Sequence, residues 1–173
     1  RSSTPESKKK IVFTAVLFFG LNCGPQIGSS YDQFTGNTIH EANISTSSGL
    51  IGNNLIIKAN RVVSKDGEET FILRIIMSGS GWLFIESITM KNPSSNWEKS
   101  ISWKNYDVSR DVITGTLISE TVSVIVSREE FIAILSQNHI NARLYGKDSY
   151  STFSFPSEKL VAWKQLLSTK MEL

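Results

Sequence analysis

One cysteine, two histidines and four prolines are all that 173 residues contain of those types. A single thiol excludes an intramolecular disulfide framework and any cysteine-rich zinc site. His40 and His139 are the only imidazoles, and no H-E-x-x-H pattern or aspartate-rich calcium loop is present. A membrane-spanning helix needs about 20 apolar residues, and the uncharged run Ile11–Asn22 ahead of the cysteine has 12. Positive charge is also scarce where it would matter. Of 18 Lys and Arg and 16 Asp and Glu, four basic residues and one acidic residue lie in 1–22, which leaves 14 against 15 in the remainder. The pI near 8.7 therefore belongs to the first residues. With no Lys/Arg cluster beyond them, the electrostatic footprint of a nucleic-acid binder is missing. Neither an internal repeat nor a low-complexity segment appears, and no motif calls for a cofactor.

What the chain does have begins with Lys8-Lys9-Lys10, followed by Ile11-Val-Phe-Thr-Ala-Val-Leu-Phe-Phe-Gly-Leu21 and then Asn22-Cys23. A basic stretch, a short apolar stretch and a processing position in that order make a secretory leader over 1–22. The first methionine is Met77, so Arg1–Ser7 carries no weight in the reading. Gly24-Pro-Gln-Ile-Gly-Ser-Ser30 is dominated by Gly, Pro and Ser, which makes 23–30 a flexible tether.

The run Phe19-Gly-Leu-Asn-Cys23 resembles the lipobox of bacterial lipoproteins, in which the cysteine is lipidated and becomes the mature N-terminus. In that family leucine stands three places before the cysteine and a small residue directly before it. Here Gly20 and Asn22 hold those positions and Leu21 comes one place late, as in the looser boxes of spirochaete lipoproteins. The resemblance implies lipidation at Cys23, a membrane partner reached through that anchor, and residence in the bacterial cell envelope. A plain signal without lipid is the alternative at this position.

From Tyr31 onward short strands alternate with polar turns, giving a single β-rich domain over 31–173. Tyr31–Gly36 and Asn37–Ile44 form a first hairpin, and Ser45–Gly49 a loop. Asn54–Ser64 reads as a strand whose alternation slips near Val62 or Val63, the mark of a bulge. Asp66-Gly67 fits a type I′ turn, and the following Thr70–Met77, apolar on both faces, reads as a central strand. Trp82–Met90, Trp97–Tyr106, Val112–Ile118 and Thr121–Val126 are further strands. Ser127-Arg-Glu-Glu130 is a capping box, opening a helix with Phe131, Ile132 and Leu135 inward. Ile140–Gly146 and Tyr150–Phe155 pair across Lys147-Asp148. Pro156-Ser157 opens an amphipathic helix to about Lys170, with Leu160, Trp163 and Leu167 inward. Turns rather than crossover helices join the strands, which argues against a βαβ architecture. The expected fold is mainly β with two helices (α+β): an antiparallel β-sandwich or strongly bent sheet with a C-terminal amphipathic helix. The order Val126-Ser-Arg-Glu-Glu-Phe131, Ala142-Arg-Leu-Tyr-Gly146, an aromatic strand and a final helix resembles the last third of uncharacterised bacterial envelope proteins, and that resemblance implies no activity.

Candidate sites are few. A serine hydrolase would need His40 or His139 beside a serine and a carboxylate; Ser47, Ser48, Ser78 and Ser80 are available, but no G-x-S-x-G elbow favours one. Ser78-Gly-Ser-Gly-Trp82 lacks the ending of a phosphate loop and reads as a turn. Trp82, Trp97, Trp103 and Tyr106 could present an aromatic binding face or pack into the core. Together these features point to a lipid-anchored envelope protein serving as a binding or assembly module for another envelope component or a host protein. An envelope hydrolase using a serine with His40 or His139 is the rival.

Overall fold

In a computed structural model of the chain, residues 27–47 and 53–168 are described. The leader, Cys23, most of the tether, Ser48-Gly49 and the expected continuation of the last helix to about Lys170 lie outside them. The elements in order are β1 (Gly28–Asp32), β2 (Asn37–Ser47), β3 (Asn54–Val63), β4 (Glu69–Gly79), β5 (Ile85–Lys91), β6 (Glu98–Ser102), β7 (Ser109–Thr114), β8 (Leu117–Val126), α1 (Arg128–Leu135), β9 (His139–Gly146), β10 (Tyr150–Pro156) and α2 (Ser157–Ser168). β1 takes in Gly28–Ser30, whose composition suits a tether, because these residues find a ladder on Glu41–Ile39 of β2.

Two antiparallel sheets result. The first has six strands in the order β1-β2-β3-β4-β8-β7 and curls strongly into a half-barrel. The second has four, β10-β9-β5-β6. As its two apolar faces led us to expect, β4 is central, between β3 and β8.

Period-two alternation places one face of each long strand in a shared core. Leu55, Ile57 and Ala59 of β3, Phe71, Leu73, Ile75 and Met77 of β4, and Val122 and Val126 of β8 meet Ile88, Met90, Ile140, Ala142, Leu144, Phe153 and Phe155 of the second sheet. No bulge interrupts β3. Its register on β4 is continuous from Asn54↔Ser78 to Val63↔Glu69, and the apparent slip is Arg61, which occupies an inward position and is buried.

Three other local expectations are corrected. Between β3 and β4 only Gly67 has positive φ (84°). Its N–H donates to Ser64 O (2.9 Å) and Ser64 N–H to Glu68 O (2.9 Å). With Asp66 right-handed, this is a three-residue loop, a type I turn closed by glycine, and not the type I′ form. Val112–Ile118 is not one strand: Gly115, at φ 52°, turns the chain between β7 and β8. In α1 the buried residues are Phe131, Ile134 and Leu135, while Ile132 is exposed. In α2 the expected Leu160 and Trp163 are buried and Leu167 packs half-buried against the core, with Leu166 buried beside them.

α1 closes one end of the half-barrel, and α2 lies along β2 with its last turn reaching that end. Ser127 caps α1: its Oγ accepts from Glu130 N–H (3.1 Å), and its own N–H donates to Glu130 Oε2 (2.9 Å). Phe131 then stacks on Phe71 (4.9 Å between centroids) and meets Trp163 (5.9 Å). The Trp163 indole N–H donates to Ala42 O (3.2 Å), fixing α2 across β2. A void of about 10 Å³ lined by Ile44, Met90, Ile140 and Trp163 is purely apolar. It is no larger than one water and lacks the polar partners a water needs.

Candidate functional site

The strand registers define two ends of the first sheet. One carries Val63, Glu69 and Val126 and is covered by the helices; the other carries Asn54, Gly79 and Ile118. At this second end the chain leaves β4 and crosses to the other sheet. A Cβ on Gly79 would stand 2.0 Å from Asn53 Oδ1 and would push that side chain aside. Asn53 in turn donates from Nδ2 to Ser151 Oγ (3.2 Å), tying the start of β3 to β10.

Residues 82–85 are shaped by a buried carboxylate. Glu120 sits on the inward face of β8, two residues from Ile118 and Val122, and is fully buried (0 % exposed). It accepts three consecutive backbone N–H groups: Leu83 at 2.6 Å and Phe84 at 2.9 Å on Oε1, and Ile85 at 2.9 Å on Oε2. Successive N–H groups converge on one acceptor only when the backbone turns through an unusual conformation. Phe84 supplies it with φ 54°, a strained value for a bulky side chain that the surrounding bonds must hold. Arg110 of β7 completes the charge balance, with Nε 3.3 Å from Glu120 Oε2 and Nη2 donating to Asn105 Oδ1 (2.6 Å). From the other sheet, Lys147 N–H donates to Leu83 O (3.2 Å). Gly146 lets that carbonyl approach, since a Cβ would stand 1.9 Å from it.

The clamp turns apolar side chains outward. Leu83 goes into the core, while Trp82 and Phe84 remain exposed with centroids 6.3 Å apart, and the Arg110 guanidinium lies 5.3 Å from the Phe84 ring. Beside them Val112, Ile113 and Leu117 are exposed at the tip of the β7–β8 hairpin. There the ladder steps from Val112↔Ile118 to Thr114↔Leu117 and leaves Ile113 as the extra residue of a bulge. Across the other sheet Tyr145 and Tyr150 lie 6.2 Å apart, with Arg143 at 4.5 Å from the Tyr150 ring.

The three tryptophans singled out by sequence do not form one face, and the Tyr106 side chain lies outside what is described. Trp97 and Trp103 pack against the core, the latter donating its indole N–H to Ile85 O (3.0 Å), and of the three only Trp82 belongs to the exposed cluster. Ser78 and Gly79 end β4 rather than forming a turn.

The histidines lie apart. His40 faces inward on β2, 6 % exposed, opposite Arg61. Its buried Nδ1 has no hydrogen-bond partner, and burial, then the Arg61 charge, hold its pKa below the ordinary value. His139 lies at the start of β9, where Nε2 is 2.9 Å from Ser154 Oγ and 3.0 Å from Asn141 Oδ1. This Ser–His contact is on an open strand face with Ser154 and Asn141 exposed. Among the described residues no carboxylate is bonded to the ring to orient it as a triad requires. Nor does any group of three His, Cys, Asp or Glu suited to a metal ion occur among them, and no helix among them is long and apolar enough to cross a membrane.

Glu120 and Arg110 were not found by motif, yet one carried a signal. An acid at the inward position of Ile118-x-Glu-x-Val122-x-Val124-x-Val126 must be paired if the alternation is real. Neither protein-family models, curated proteins nor solved structures match the chain.

Proposed function

We propose that the protein is a lipid-anchored component of a bacterial envelope, held through Cys23, and that its β domain works as a binding or assembly module rather than as an enzyme. The observation that supports a binding role is the Glu120 clamp. It holds Phe84 in a strained conformation whose outcome is a fixed, outward-facing apolar surface, and strain of this kind gathers at sites of function. The anchor is supported by the leader and by the resemblance at Cys23. Mass spectrometry of the mature N-terminus tests it: a diacylglycerol-bearing Cys23 is expected, and an intact Asn22–Cys23 bond overturns it.

One observation favours the second reading, a hydrolase: the 2.9 Å contact of Ser154 with His139. An activated serine reacts with a fluorophosphonate probe. The binding reading expects no labelling; labelling abolished in Ser154→Ala would establish the hydrolase instead.

A further inference from the structure

Of the eleven large apolar side chains exposed among the described residues, six gather at the uncapped end: Trp82, Phe84, Val112, Ile113, Leu117 and Tyr150. Three are aromatic, and Arg110 and Arg143 lie over the Phe84 and Tyr150 rings. Amphipathic aromatics with cations beside them are the side chains that settle at the boundary between headgroups and acyl chains. The mix is not a field of one sign, because Asp111 and Asp148 are exposed among these cations. Apolar insertion rather than charge attraction would therefore supply most of the affinity.

The strand directions say what this end meets. β1 runs toward the helix-capped end, since Gly28 pairs with Glu41 and Asp32 with Asn37. The chain before Gly28 therefore enters from the side of the uncapped end. Gly28 stands level with Glu41 of β2, whose last residue there is Ser47. Cys23 precedes Gly28 by five residues, which can span about 17 Å. That reach is close to the length of β2 between those two levels, about 20 Å. An acyl chain on Cys23 and the exposed Trp82–Phe84 end can thus meet one plane.

We propose that the uncapped end lies against the lipid bilayer, with Trp82, Phe84, Val112 and Leu117 entering the headgroup boundary. The orientation rests on Cys23 as the anchor, but its test needs no lipidated chain. The full chain carrying Cys23→Ser has no thiol, so one cysteine can be placed at will and labelled with a polarity-sensitive dye. Val112→Cys and Leu117→Cys report on the uncapped end. Phe34→Cys and Ile125→Cys, exposed as well, report on the opposite end and on the outer face of β8. The chain is mixed with phosphatidylcholine vesicles containing about one third phosphatidylglycerol, to which the leader's apolar run recruits every variant alike. At positions 112 and 117 a blue shift and a roughly twofold or larger rise in emission are expected, with neither at 34 and 125. Equal responses at all four positions, a response at 34 or 125 alone, or none anywhere overturns the proposal. A Cys23 found without lipid in the native protein removes the anchor but leaves this result readable.

Discussion

Arg61 and Glu120 are the two charges buried in the long strands of the half-barrel, and they work as opposites. Arg61 donates from Nη1 to Leu166 O in the last turn of α2 (3.0 Å) and pairs with Glu69; a cation thus takes up a carbonyl at the negative end of a helix. Glu120 collects three N–H groups of a loop and pairs with Arg110. Each splices a segment without regular pairing onto a strand that has it. The difference lies in what the splice presents. Around Arg61 the attached helix lays Trp163 and Leu166 into the core, whereas around Glu120 the attached loop sends Leu83 inward and leaves Trp82 and Phe84 in solvent. One end is closed for stability, and the other is held open at some cost to it.

Glu120→Ala should have the largest effect, a loss of about 3–5 kcal/mol in urea denaturation, because it strands three N–H groups and leaves Arg110 without its partner. Arg61→Met should cost less, about 2 kcal/mol by the same measurement. Glu69 is partly exposed and keeps Arg128 at 3.5 Å, so no charge is left buried alone. A larger loss for Arg61 than for Glu120 would reverse the contrast between the ends. Ser127→Ala, removing the cap of α1, should lower stability by about 1 kcal/mol.

The closed end should also respond to pH through His40. Its pKa is lowered in the fold, so the unfolded chain takes up the proton first as pH falls. Its contribution is complete above about pH 6.5 and is lost between there and the lower folded-state value. Thermal melts of His40→Asn should lack that slope; an unchanged slope would mean that another group carries it. Smallest of all, Val112→Ser at the open end should shift stability by no more than about 0.5 kcal/mol, for its side chain is 63 % exposed.

Much of the fold was legible because its signals are local. Alternation located β3, a run apolar on both faces β4, the Lys147-Asp148 turn the β9–β10 hairpin, and the Ser127–Glu130 box α1. Where only apolar residues were read as inward, the reading failed: Arg61 looked like a slip. Gly115 carries the β7–β8 turn, whereas the strand bounds Val112–Ile118 and Thr121–Val126 put the break at Ser119-Glu120. Pairings such as Phe71↔Val126 or Met90↔Ala142 join distant strands and leave no mark on either sequence. The exposed end was legible only as Trp82. Phe84 became part of it through a backbone conformation set by a carboxylate far along the chain.

The order in which the chain visits its two sheets governs how it must fold. After β4 it leaves the half-barrel to lay down β5 and β6, returns for β7 and β8, and only then completes the second sheet with β9 and β10. Neither sheet can be finished while the other is only begun, because the pairings of β4 with β8 and of β5 with β9 both need loop closure over long distances. Folding times of roughly milliseconds to seconds follow from such non-local pairing. During synthesis β4 waits without its second neighbour until β8 has emerged, and β5 waits longer still for β9.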